Sequence, residues 1–276
     1  MLSVENISFS VAGKQILKNV SFRMVPGEFL AIAGANGAGK STLLNIINTN
    51  KKAQSGQIVL NGKNLEAYKD IELATSRAYL HQQTNLQLPF KARDIVMMGR
   101  YPHFKTREGK DDEAAVNDCI SQTGIGHLQE RNYLELSGGE QQRVQLARVL
   151  AQLWSSSDKT TRFLFLDEPV NNLDIEFQHK TLSLARALAD KGHCVIAVLH
   201  DLNMAAMYAD EILLMKHGRM VKKGPPAEVL TPDLIREVFN YDAIVEYHPA
   251  LSGPYIIFGN QSVEKERINY QTNYLK

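Results

Sequence analysis

Three short, unbroken apolar runs stand out along the chain: Phe29-Leu-Ala-Ile-Ala33, Phe163-Leu-Phe-Leu166 and Cys194-Val-Ile-Ala-Val-Leu199. Each is strand-length and lacks the polar alternation of a half-exposed strand, so each reads as a buried strand of the kind a parallel sheet contains. Thr42-Leu-Leu-Asn-Ile-Ile47 reads as a helix leaving the first of them. Turn formers around Gly56-Gln-Ile-Val-Leu-Asn-Gly62 and within Met215-Lys-His-Gly-Arg-Met-Val221 predict two hairpins. After Gly-Pro-Pro a helix is predicted from Pro226 or Ala227 to about Phe239. Ile244 to Tyr247 and Tyr255 to Phe258 bracket the turn-rich PALSGP and predict a last hairpin. Met1 to about Gln82 reads as mainly strands. The stretch from about Gln83 to Ser157 reads mainly helical, most strongly over QQRVQLARVLAQLW. The closing SVEKERINYQTNYLK is polar, a loose tail or a short helix.

No stretch approaches the ~20 apolar residues of a membrane span, and MLSVENISFS lacks the basic start and apolar run of a signal peptide. If the chain works at a membrane, partners are expected to hold it there. The chain has 276 residues, 44% of them apolar, enough for a sizeable core. A formal charge of +1 supplies no field that argues for nucleic acid or an anionic surface. Cys119 and Cys194 lie far apart, without the spacing of a disulfide framework or zinc site, which fits a reducing cytoplasm. The eight histidines show neither H-x-x-x-H nor H-E-x-x-H spacing, so no structural metal and no haem site is expected on this chain.

Between the first strand and its helix lies GANGAGKST, which meets the G-x-x-x-x-G-K-[ST] pattern at every specified position. Gly34, Gly37 and Gly39 let backbone N–H groups of the loop, including those at Asn36 and Ala38, converge on phosphate oxygens. Lys40 reaches the β- and γ-phosphates, Ser41 offers a hydroxyl to Mg²⁺, and Thr42 opens the helix. A bound nucleoside triphosphate follows. The second apolar strand delivers Asp167 and Glu168 at its end, where an acid beside a phosphate loop coordinates Mg²⁺. Asp167 is assigned to the metal, and Glu168 to orienting and partly deprotonating the attacking water. The third strand ends at His200, a candidate sensor of the γ-phosphate.

Leu136-Ser-Gly-Gly-Glu140 precedes the strongest helix, with Ser137 and Glu140 spaced as a capping box. Gly138 and Gly139 each cost up to ~1 kcal/mol of helix propensity against alanine, unfavourable unless backbone must approach a ligand closely. A helix N-terminus with bare N–H groups suits an anion, and one phosphate loop already exists. The second site therefore points to another subunit's nucleotide.

Taken together, these motifs resemble the ATP-binding-cassette ATPases from about Leu2 to Tyr247. LSGGE is similar to the family signature, Asp167 and Glu168 to its Walker B pair, and His200 to its switch histidine. Gln82 looks like the Q-loop residue that touches Mg²⁺ and reports to membrane subunits, with Gln83 one position away. Asn171-Asn-Leu-Asp174 stands where the D-loop usually reads SALD: Asp174 matches, Asn171 and Asn172 depart. Where the family places an adenine-stacking aromatic this chain has Val11, and Phe9 on the same strand face is the nearest aromatic.

The resemblance implies an α/β fold: a P-loop NTPase core of ABC-ATPase type (1–82 and 160–260), an antiparallel β subdomain, an inserted α-helical subdomain (83–159) and a polar tail (261–276). It implies an ATPase that works as a head-to-tail homodimer, with Mg²⁺ as cofactor and two ATPs between the chains. Its expected partners are transmembrane permease subunits, usually two, and a substrate-binding protein. It would sit at the cytoplasmic face of the cell membrane. QLPFKARDIVMMGRYPH looks like importers for haem, ferric siderophores and cobalamin. The polar insert SSSDKTTR before the second apolar strand is most like the haem-import ATPases. Leu86 to Phe90 and Gly99 to His103 could form part of the groove for a permease coupling helix. The competing class is a soluble cassette protein acting on nucleic acid or ribosomes. A single set of motifs, no sustained heptads and near-neutral charge weigh against it, so no nucleic-acid partner is expected.

Overall fold

A computed structural model of the chain describes residues 1–81, 89–155, 160–249 and 253–259. The three apolar runs are β3 (Phe29–Gly34), β7 (Phe163–Asp167) and β8 (Cys194–Val198), adjacent and parallel in a six-stranded sheet. β6 (Arg77–Leu80) extends it in parallel beyond β7. β9 (Glu211–Lys216) pairs in parallel with β3 on the other side, and β10 (Arg219–Gly224) returns antiparallel at the edge. Alternate residues of one strand enter different cores. Phe29, Ala31 and Ala33 of β3 join one apolar cluster, Leu30 and Ile32 the other. Leu164 and Leu166 of β7 divide from Phe163 and Phe165 in the same way. A strand with an apolar layer on each face has no polar positions to spare, which is why these runs are continuous.

One face of this sheet packs against α1 (Lys40–Ile47) and a four-stranded antiparallel sheet, β1 (Leu2–Val11), β2 (Lys14–Met24), β4 (Ser55–Leu60) and β5 (Lys63–Asn64), in the order β2-β1-β4-β5. The apolar cluster on the opposite face takes in α5 (Gly138–Leu153), α6 (Ile175–Asp190) and α7 (Leu202–Tyr208) beside the sheet, and α3 (Ala92–Met98) and α4 (Lys110–Thr123) packed against α5. Helices α3, α4 and α5 lie between β6 and β7 in the chain. Buried Arg100 ties them together: its Nε is 2.9 Å from Asp112 Oδ1 at the start of α4, and its Nη1 donates to the carbonyls of Ala151 and Trp154 at the end of α5. Among the described residues no helix is long and apolar enough to cross a membrane.

Two local expectations are corrected. The stretch before Gln82 also holds a helix, α2 (Asp70–Ser76). The single helix predicted to Phe239 is two, α8 (Pro226–Val229) and α9 (Pro232–Phe239). Thr231 accepts at Oγ1 from Leu234 N and caps α9, while Pro232 takes the first helical position and cannot continue a helix from before it. The last hairpin forms as β11 (Ile244–Tyr247) with β12 (Pro254–Ile257).

Candidate nucleotide site

β3 ends at Gly34, whose φ is 150° and where a Cβ would stand 2.2 Å from Met215 O of β9. Only glycine allows the strand to leave the sheet that close to its neighbour. The loop closes at Gly39, the N-cap of α1 with φ 100°, so no side chain caps the first turn and its N–H groups face the loop. Asn36 and Gly37 are exposed at its tip, and Ala38 is buried beneath. Lys40 is 6% exposed and curls back over the loop, its Nζ donating to Gly34 O at 2.8 Å and Ala35 O at 3.2 Å. Burial holds its pKa below the ordinary lysine value, and the carboxylates of Glu168 and Asp167 pull the other way. Thr42 follows in the first turn of α1, half-buried.

Beside that loop, at the end of β7, Asp167 is 5% exposed and both carboxylate oxygens have partners. Ser41 Oγ donates to Oδ1 at 2.9 Å, and Tyr79 Oη of β6 donates to Oδ2 at 3.0 Å. Burial raises the Asp167 pKa, against the two hydrogen bonds that lower it. Tyr79 belongs to none of the sequence motifs. Its only sequence trace is a hydroxyl within the otherwise apolar Ala78-Tyr-Leu80, and burial with the adjacent carboxylate raises its own pKa.

Glu168 follows in a left-handed backbone conformation, φ 53°. Its Oε1 lies 2.7 Å from His200 Nε2, just past β8, and its Oε2 accepts from Asn171 Nδ2 at 2.5 Å. The structure thus brings Lys40, Ser41, Asp167, Glu168 and His200 to one end of the parallel strands. This is the carboxyl edge, where open α/β sheets bind their ligands.

At the start of α5, Ser137 Oγ accepts from Glu140 N at 3.4 Å while Glu140 Oε2 accepts from Ser137 N at 2.8 Å, a reciprocal capping box. Those bonds from Ser137 lower the Glu140 pKa. Among the described residues a Cβ at Gly138 would meet nothing within 4 Å; one at Gly139 would lie 3.4 Å from Asn172 O. Asp174 caps α6, accepting from Phe177 N at 3.0 Å. Val11, the last residue of β1, is half exposed, while Phe9 is partly buried against the inter-sheet cluster with Lys51 Nζ 5.6 Å above its ring. Gln82 and Gln83 lie outside the described residues.

Residues 17–171 match the family model described as ABC transporter. The chain belongs to that family. Two curated ABC relatives carry the name hemin import ATP-binding protein HmuV. The one from Gloeobacter violaceus is 43% identical, with 95% of this chain and 96% of the relative aligned. The one from Deinococcus radiodurans is 44% identical, over 93% and 96%. Among solved structures, a transporter ascribed to the metal-chelate ABC type, in an inward-facing conformation, superposes with a TM-score of 0.78 at 25% identity over 95% of this chain and 98% of that one. A dimeric bacterial ABC transporter cassette gives a TM-score of 0.70 at 26% identity over 82% and 99%. The fold is the P-loop core of an ABC ATPase, as the motifs led one to expect.

Proposed function

We propose that this chain hydrolyses ATP to power an importer for haem. The observation that carries the reading is the alignment of nearly the whole chain with hemin import ATP-binding proteins at 43% and 44% identity. The site supports the chemistry. Gly34 to Thr42 would cradle the phosphates with backbone N–H groups, and Lys40 would exchange its carbonyl partners for the β- and γ-phosphates. Val11 would lie against the adenine. Ser41 Oγ and Asp167 Oδ1, hard oxygen donors 2.9 Å apart, fit the donor set Mg²⁺ prefers, with Gln82 as a further ligand. Held there with ATP, Mg²⁺ would supply positive charge against the transferring phosphoryl group. Glu168 would accept the proton of the attacking water, and His200 would hold that carboxylate and contact the γ-phosphate.

A second copy would complete each site, its Ser137, Gly138, Gly139 and Glu140 closing on the phosphates, with Asp174 and the turn before it at the seam. The open space over Gly138 supports this reading. ATP then stabilises the closed pair and hydrolysis releases it, a differential affinity able to drive permease subunits between two states. Residues 1–82 and 160–260 serve as the core and 83–159 as the helical subdomain that meets the permease at the cytoplasmic face of the membrane. A substrate-binding protein delivers the cargo.

The test is to isolate the tagged chain from its native membranes in mild detergent and measure ATPase stimulation by cargo-loaded binding proteins. Stimulation by a haem-loaded partner is expected. Stimulation only by a siderophore or cobalamin partner keeps the importer and discards haem. Co-purification of nucleic acid with no membrane protein overturns both.

A further inference from the structure

The turn after β7 departs from the usual family run at Asn171 and Asn172, and the structure gives each asparagine a physical reason. Asn172 has φ 62°, a left-handed conformation that asparagine tolerates better than most residues. Asn171 reaches back three residues, its Nδ2 donating to Glu168 Oε2 at 2.5 Å. The other oxygen, Oε1, lies 2.7 Å from His200 Nε2, which comes from the end of a different strand. Two groups on separate segments therefore hold the two oxygens, and together they fix both the position and the plane of the carboxylate.

Asn171 is itself firmly placed. Gln142 of α5 donates to Pro169 O at 2.6 Å, and Gln178 of α6 donates to Val170 O at 3.3 Å and Leu173 O at 3.0 Å. Carbonyls on both sides of Asn171 are thus tied to two helices. A serine hydroxyl, as in the usual run, ends one bond nearer the backbone than the asparagine amide nitrogen.

We propose that Asn171 is a positioning residue for hydrolysis: it holds Glu168 in the orientation from which one carboxylate oxygen meets the attacking water. A carboxylate oxygen can accept more than one hydrogen bond, so the bond from Asn171 orients the base without itself barring a water from the same oxygen. A base must lie within hydrogen-bond reach of the proton it takes, and small misplacements are costly in rate. The proposal rests on the assignment of Glu168 as the base.

The test uses the 276-residue chain, with single-turnover hydrolysis of radiolabelled ATP and equilibrium ATP binding measured side by side. Asn171→Ala removes the amide. Asn171→Asp keeps its shape but replaces the donor with an acceptor facing Glu168. Both are expected to slow hydrolysis roughly ten- to a hundredfold while ATP affinity stays within about twofold. In a Glu168→Gln background, Asn171→Ala is expected to change the residual rate less than about twofold, because the group it orients is already gone. Hydrolysis by Asn171→Ala within about twofold of wild type overturns the proposal. So does a loss matched by lost ATP affinity, or an equal fold-loss in the Glu168→Gln background. Full turnover by Glu168→Gln alone would instead remove the base assignment beneath it.

Discussion

Ser41 Oγ donates to Asp167 Oδ1 at 2.9 Å, joining the first turn of α1 to the tip of β7 across 126 residues of chain. The acceptor is buried, and burial raises its pKa above that of an unfolded aspartate. The folded state therefore binds the proton more tightly. Stability from this group is fully present below the unfolded carboxylate range and is lost as pH rises through the raised folded pKa. At pH 7 the ionised group is a net cost. Asp167→Asn should raise the melting temperature of the nucleotide-free chain at pH 7, with the gain shrinking as pH falls through the carboxylate range, and should abolish ATP turnover. Thermal unfolding across pH checks the sign; a variant that melts below wild type at pH 7 shows that hydrogen bonds outweigh desolvation.

Tyr79→Phe removes the donor to the other Asp167 oxygen. A buried acceptor that loses a partner costs about 1–3 kcal/mol. Denaturant unfolding should report a loss of that size at pH 7 and a smaller one in acid, where Asp167 is protonated.

Glu168→Gln keeps the size of the side chain and its bond with Asn171 within reach but cannot take a proton. ATP binding should persist, hydrolysis should fall by about a hundredfold or more, and the chain should elute as a dimer when ATP is present. Size-exclusion with and without ATP is the measurement, and a monomer in both removes the trapped-dimer reading.

Lys40→Ala should weaken ATP binding at least about tenfold, since a charge-assisted contact to the terminal phosphates is lost. Calorimetric titration reads this directly. Gly34 O and Ala35 O also lose their donor, so the loop itself should exchange amide hydrogens faster.

Cys119 and Cys194 are buried free thiols, pushed by burial up to about 12 and about 11. A raised thiol pKa means less thiolate at pH 8. Neither should react with a thiol reagent in the native chain, and both should react in denaturant. Modification of either without unfolding counts against its burial.

Much of this site could be read from the sequence because it is built from short contiguous runs. A strand buried on both faces announces itself as an unbroken apolar stretch, and the phosphate loop, the paired carboxylates and LSGGE are each local in the chain. The rest depends on how the backbone folds more than on local pattern. Tyr79 meets Asp167 only because β6 lies beside β7. The bond from Asn171 to Glu168 spans three residues, yet it needs the left-handed turn at Glu168 to close. α2 is too short for its period to stand out, whereas the break before α9 was written openly in Thr231 and Pro232.

Gly138 has open space where a side chain would go, so none of the described residues of this chain resists an alanine there. Helix propensity even favours the exchange by up to ~1 kcal/mol. A screen that ranks variants of the lone molecule by heat resistance would therefore promote Gly138→Ala. In the proposed pair, that methyl group would stand against the neighbour's nucleotide. Robustness of one copy and cooperation between two then pull this position in opposite directions, and only an assay containing both copies and ATP can see the conflict.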